Sequence, residues 1–428
     1  MTRIAFIISL LIGLPLLGVI LVGKPLALYL EFPPVTRYVE HAPFSWPFFL
    51  GTAVFVIVAV APLLIRVVTS RPTPHPSGPS PHSSLLTPHA CRISSLASSR
   101  AASVAINARD AVDAFDSPAP SRHPLGTSLD HRLSPTQHSA LSTQHSFSAF
   151  PWWGWVGLGI TSLAWLLAWN RFPWLGDLQS HTFTPLWIGY ILVINALAFK
   201  RTGHCMMLDR PPHFLSLFLL SAAFWWFFEY LNRFVQNWYY VGASEFTATE
   251  YFWYATLPFS TVLPAVLSTS DWLATYHRLS AGLDQWWPMQ VRQPTIVGWV
   301  VLVLAMVGLM GIGVWPDYLF PLLWVSPLLI ITSLQAVSGE ETVFSCISRG
   351  DWRPIWLPAF AALVCGMFWE LWNYRSLAHW EYAVPFVHRF QIFEMPLLGY
   401  AGYLPFGLEC VVIAGLLPGR REPMELRA

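Results

Sequence analysis

Charge is what this chain most lacks. Only 11% of its 428 residues are Asp, Glu, Lys or Arg, whereas a soluble domain carries about a quarter. That shortage excludes an ordinary water-facing surface. The remaining charges nearly cancel, at a formal +1, so no basic face offers itself to a nucleic-acid partner. Cysteine is scarce too. Cys91, Cys205, Cys346, Cys365 and Cys410 form no CxxC and no close pair, which excludes a disulfide framework and predicts free thiols. There is no GxxxxGKS or GxxxxGKT loop, so nothing indicates a nucleotide-driven pump.

What is present is apolar. Hydrophobic residues make up 54% of the chain, 23 residues are Trp, and mean hydropathy is +0.48. A span needs about 20 mostly apolar residues. Ten windows answer that description: 4–22, 46–64, 151–169, 183–199, 213–231, 251–267, 294–315, 318–337, 354–373 and 393–417. The fold class is therefore an all-α polytopic membrane protein with about ten transmembrane helices. The first window follows a basic "MTR", but it is long and ends in no small-residue cleavage site, so it reads as an uncleaved anchor. Only His213 falls in a span, and at its edge. Paired axial ligands for a membrane haem are thus missing, and no cofactor is assigned.

Lys and Arg set the orientation. With ten spans, 18 of them fall on the side of the two termini and 6 on the other. Discounting five Arg deep in a long loop still leaves 13 against 6. The positive-inside bias makes both termini cytoplasmic, in a membrane that reads as the bacterial cytoplasmic one. Residues 69–150 change character. They are rich in Ser, Pro, His and Thr, with "TQHSA" and "TQHSF" seven residues apart. Such a stretch buries too little apolar surface to offset chain entropy, and it reads as a disordered cytoplasmic loop. It holds seven of the 14 His, but scattered His lack the geometry of a metal site.

One pattern recurs. "FFEYLNRFVQNWYY" at 227–240 and "FWELWNYRSLAHWEY" at 368–382 each carry Glu, Asn three residues on, then Trp and Tyr. Glu229 maps to Glu370, Asn232 to Asn373 and Cys205 to Cys346 at one offset of 141. "YATLPF" at 254–259 maps to "YAGYLPF" at 400–406 with one residue inserted. We read a duplicated four-helix unit, 151–280 and 281–428 including a short C-terminal tail, after an N-terminal helix pair in 1–68. Four spans is an even number, so the repeats are parallel, about an axis along the membrane normal.

Glu and Asn at i and i+3 share a helix face. The reading predicts two pseudo-symmetric pockets in the outer leaflet. One holds Glu370, Asn373, Trp380, Tyr382 and Glu394; the other holds Glu229, Asn232, Trp238, Tyr240 and Glu250. Glu370, Glu394 and the intramembrane Glu409 are the candidate catalytic acids, and the remaining residues are candidates for binding a substrate. A structural reading stands beside this one. Trp and Tyr anchor membrane interfaces, Glu229 has Arg233 at i+4, and Asn joins helices as a hydrogen-bonding group. Embedded acids nonetheless default to functional candidates.

The stretch "FWELWNYRSLAHWEYAVPF" followed by "IFEMPLLGYAGYLPF" resembles the bacterial membrane hydratases and cyclases of carotenoid biosynthesis. Those enzymes have a Glu-bearing helix, a tyrosine-rich loop and a Pro-Leu-containing helix. The tyrosine pair is Trp-x-Tyr here, and their glycine-rich turn is missing. The resemblance implies protonation of a polyene by Glu370 and Glu394. The residues alone allow three classes: an enzyme or binder acting on an apolar, isoprenoid-like lipid; a secondary transporter of a small solute; or a non-catalytic membrane assembly protein. The expected partners are membrane lipid and an apolar small molecule. Substrate and oligomeric state are left open.

Overall fold

The computed structural model describes residues 2–70, 149–242 and 246–417. The expected loop at 69–150 and the C-terminal tail lie largely outside them. Eleven helices carry the fold among the described residues: α1 Thr2–Leu21, α2 Trp46–Thr69, α3 Trp152–Trp169, α4 Phe183–Thr202, α5 Pro211–Val235, α6 Ala248–Phe259, α7 Val262–Ala274, α8 Pro294–Gly311, α9 Leu322–Val337, α10 Arg353–Asn373 and α11 Tyr403–Ala414. Shorter helical turns connect them.

Seven helical segments are long and apolar enough to cross a membrane: Arg3–Leu21, Trp46–Thr69, Phe183–Thr202, Pro211–Val235, Pro294–Gly311, Arg353–Asn373 and Leu397–Ala414. The chain is an integral, multi-pass, all-α membrane protein. The other three expected spans are helical but fall short of that description. The α3 window is rich in Trp, which lowers its hydropathy. At 16 residues α9 is short. The 251–267 window is broken into α6 and α7 at Ser260 and Thr261.

That break has a local cause. Pro258 and Pro264 supply no N–H to the helical ladder. Ser221 of α5 repairs it: its hydroxyl donates to the Phe259 carbonyl at 2.6 Å and accepts the Leu263 N–H at 3.0 Å. Elsewhere small residues bring helices together. A Cβ on Gly189 of α4 would stand 2.3 Å from Thr161 Oγ1 of α3. One on Gly407 of α11 would stand 2.1 Å from the Pro358 carbonyl oxygen of α10. Close approach of this kind is how helices bind one another in lipid, where burial gives no drive.

The helices pair α3 with α4, α8 with α9, and α10 with α11. α7 packs on α10, and α1 packs on α8. Helix α2 is the exception, with few neighbours along its length. At one end of the bundle two short strands meet: β1, Trp238–Val241, and β2, His379–Tyr382, pair antiparallel. A small hairpin, β3 Gln391–Ile392 and β4 Met395–Pro396, lies beside them. We call this the sheet end. Cys205, Cys365 and Cys410 are free and buried, as expected. Cys346 is disulfide-bonded, which corrects the expectation of a free thiol there; Cys91 lies outside the described residues.

Candidate functional site

The site is built by the two amides. On α5, Asn232 Nδ2 donates to the Trp238 carbonyl at 2.8 Å, and its Oδ1 accepts the Asn237 N–H at 2.9 Å. On α10, Asn373 Nδ2 donates to the Trp380 carbonyl at 2.7 Å and Oδ1 accepts the Trp380 N–H at 2.8 Å. Each amide thus stands in for a missing strand neighbour and ties the strand to its helix. Both are buried.

Strand geometry does the rest. Alternate side chains share a face, so Trp238 and Tyr240 point one way from β1, and Trp380 and Tyr382 one way from β2. The register sets Trp238 opposite Tyr382 and Tyr240 opposite Trp380. Between them Tyr239 faces Glu381. Tyr239 donates its hydroxyl to Glu381 Oε2 at 2.6 Å, and the Arg37 guanidinium lies 3.4 Å from the Tyr239 ring centre.

The carboxylates lie behind these aromatic rings. Glu229 Oε1 accepts from the Tyr240 hydroxyl at 2.6 Å, Trp238 Nε1 at 3.0 Å and Trp225 Nε1 at 3.1 Å. Glu370 Oε1 accepts from the Tyr382 hydroxyl at 2.6 Å and the Tyr403 hydroxyl at 2.8 Å. Trp380 Nε1 donates to the Tyr382 oxygen at 2.7 Å. Glu370 is wholly buried, and its Oε2 has no partner. Burial and the adjacent carboxylates push the Tyr240 and Tyr382 phenols well above their ordinary value, so they remain donors.

Two expected pockets are one. A single cavity of about 1120 Å³ is lined by Trp238, Tyr240, Trp380, Tyr382 and Tyr403 together, with α2 along one flank. The carboxyl groups of Glu229 and Glu370 are not on its wall; their phenol and indole partners are. Among the described residues Arg233, at i+4 from Glu229, forms no ion pair with it. Arg233 instead reaches Glu31 Oε2 at 3.1 Å and the Leu28 carbonyl at 2.6 Å.

Three acids make no hydrogen bond to these clusters. Glu250 is exposed and closes a capping box: its Oε2 accepts from the Thr247 N–H and hydroxyl, both at 2.8 Å. Those bonds hold its carboxyl below the usual range. Glu394 sits in the turn between β3 and β4, where its carbonyl oxygen accepts from Gln391 Nε2 at 3.5 Å; its carboxylate makes no hydrogen bond to the Glu370 cluster but is near enough to act on Glu370 and His388 electrostatically. Glu409 of α11 is buried, and its Oε1 accepts the Leu328 N–H of α9 at 3.1 Å. Pro327 weakens the α9 ladder at that point. The Glu409 Oε2 is buried without a partner.

Sequence reasoning missed Trp225, Tyr403 and the strand pairing. Tyr403 falls in the one-residue expansion of "YAGYLPF" over "YATLPF". It approaches Glu370 because Gly366, one turn before that acid, leaves room for its ring: a Cβ there would lie 2.4 Å from two ring carbons. Comparison with protein-family models, with curated proteins and with solved structures finds no match.

Proposed function

We propose that this membrane protein binds an apolar, isoprenoid-like lipid in the shared cavity and acts on it by proton transfer. The observation that carries the reading is the meeting of two carboxyl–phenol clusters at one cavity with aromatic walls. Adding a proton to an alkene in an apolar site calls for a carboxyl kept from water. Aromatic faces favour the cation that results. In this reading protonated Glu370 is the proton source: Tyr382 or Tyr403 turns its hydroxyl to the cavity, gives its own proton to the alkene and takes the carboxyl proton in its place, which leaves Glu370 a carboxylate. Glu229 and Tyr240 form the corresponding pair of the other half. The resemblance to carotenoid hydratases and cyclases agrees with that chemistry. Neither Glu394 nor Glu409 bonds to a cluster, so neither is given a role in the reaction.

The two halves read as parallel copies of one four-helix unit. Glu, Asn and Tyr of both motifs take matching partners, and their strands pair residue for residue. The excess of Lys and Arg on one side supports cytoplasmic termini. A transporter finds less support, since the two carboxyl–phenol clusters lie at one end of the bundle. The test compares lipid extracts of cells making the wild-type chain, Glu370→Gln, or neither. A lipid should be consumed with wild type and spared with the folded variant. Extracts identical in all three would remove the catalytic reading.

A further inference from the structure

Helix α2 is fastened at both ends and little buried between them. At the sheet end the Ser45 N–H donates to the Phe386 carbonyl at 2.9 Å, and the Phe48 and Phe386 rings stack with centres 4.2 Å apart. At the other end Arg66 Nε donates to the Gly282 carbonyl at 3.0 Å, and Arg278 to the Val68 carbonyl at 2.8 Å. Only 6% of its apolar window is buried. Yet Thr52, Val56 and Val60, one turn apart, line the cavity from within. Trp324, Pro258 and Phe259 line the same cavity. The outward residues Val54, Ile57 and Val58 are exposed and apolar. The helix is therefore a pillar, with bilayer outside it and an apolar cavity behind it.

Most of the cavity wall is apolar and offers ordered water few hydrogen bonds. Nor is the cavity a packing void of the size interiors tolerate. What surrounds α2 is hydrocarbon. We infer that a single long apolar chain of a bilayer lipid lies along the inner face of α2, with its reactive or polar end at the Tyr240, Tyr382 and Tyr403 hydroxyls. The lining residues of α2 run from Phe48 to Val60, a rise of about 18 Å at 1.5 Å per residue. A chain of that length or more fits; a small polar solute does not. The inference rests on the lipid reading above and adds the ligand's shape and its resting wall.

Photolabelling tests it. The full chain is reconstituted in phosphatidylcholine vesicles that contain a long-chain prenol bearing one diazirine near its tail and a second beside its hydroxyl end. Labels are mapped by mass spectrometry, with and without excess unlabelled prenol. Competed labels should fall on the peptide holding Thr52 to Val60 and on those holding Tyr382 or Tyr403. Val56→Trp, which fills the space behind α2, should reduce labelling at both several-fold. Val58→Trp, on the outward face, should leave it unchanged. Thr52→Phe serves in place of Val56→Trp if the latter does not fold. Labels on the Tyr382 and Tyr403 peptides alone, indifferent to Val56→Trp, would overturn the chain path and leave the lipid reading standing. Labels on α2 that excess prenol does not compete are bulk-lipid contact and overturn the inference as well. Labels seen only after residues 72–148 are deleted would assign the groove to the chain's own loop. If no peptide is labelled, the inference and the lipid reading fall together.

Discussion

At the scale of the residue, the site depends on a few side chains whose roles differ in kind. Asn373 holds both backbone groups of Trp380. Asn373→Ala leaves these buried groups without a partner, at about 1–3 kcal/mol. Thermal unfolding in detergent should show the loss, and an unchanged midpoint would mean that the strand does not need the clamp. Gly366 acts by absence. Gly366→Ala places a methyl group against the Tyr403 ring, so Tyr403 must leave Glu370 or α11 must shift. The expected cost is about 1–3 kcal/mol, with lipid turnover falling further than Tyr403→Phe alone lowers it. Glu409 offers a contrast. Glu409→Gln keeps an oxygen for the Leu328 N–H and should cost under about 1 kcal/mol, whereas Glu409→Ala strands that N–H at about 1–3 kcal/mol. Equal losses from the two variants would show that a charge at Glu409 matters to stability.

At the scale of the element, the structure departs from its sequence wherever a helix stops being regular. The 251–267 window was legible as apolar but not as two helices, because the repair comes from Ser221, far off in sequence. Ser221→Ala removes both bonds at the α6–α7 break and should destabilise the fold by about 1–3 kcal/mol. Hydrogen exchange at Leu263 would locate the effect, and continued protection there would exclude the bridge. The strands were equally hidden. A four-residue W-x-Y stretch among aromatics carries no hairpin turn, and its partner lies in the other half of the chain. Glu250 and Glu394 looked alike on paper because both precede a Pro-containing helix. One is a helix cap and the other a turn residue, a distinction made by Thr247 and by the β3–β4 hairpin.

At the scale of the whole molecule, composition made the membrane class plain, because charge and hydropathy are sums that local structure cannot disguise. The Glu-x-x-Asn pairs were legible for a related reason: polar groups are rare in this chain, so their recurrence stands out. What sequence could not give was the number of pockets, which depends on how two distant loops meet. Two separate pockets predict independence. Glu229→Gln and Glu370→Gln would then change stability additively, within about 0.3–0.5 kcal/mol. The structure argues otherwise. Trp238 pairs with Tyr382 and Tyr240 with Trp380, so each acid holds residues that position the other's partners. Loosening Tyr240 from Glu229 frees the strand on which Trp380 and Tyr382 register. A double-mutant cycle on unfolding free energy should therefore give a coupling of about 0.5–3 kcal/mol, as for residues in one hydrogen-bonded network. The same cycle on binding of a long-chain prenol should be non-additive too, since both clusters border one cavity. Additivity in both measurements would divide the site again into two, and with it the claim that one ligand is held by both halves.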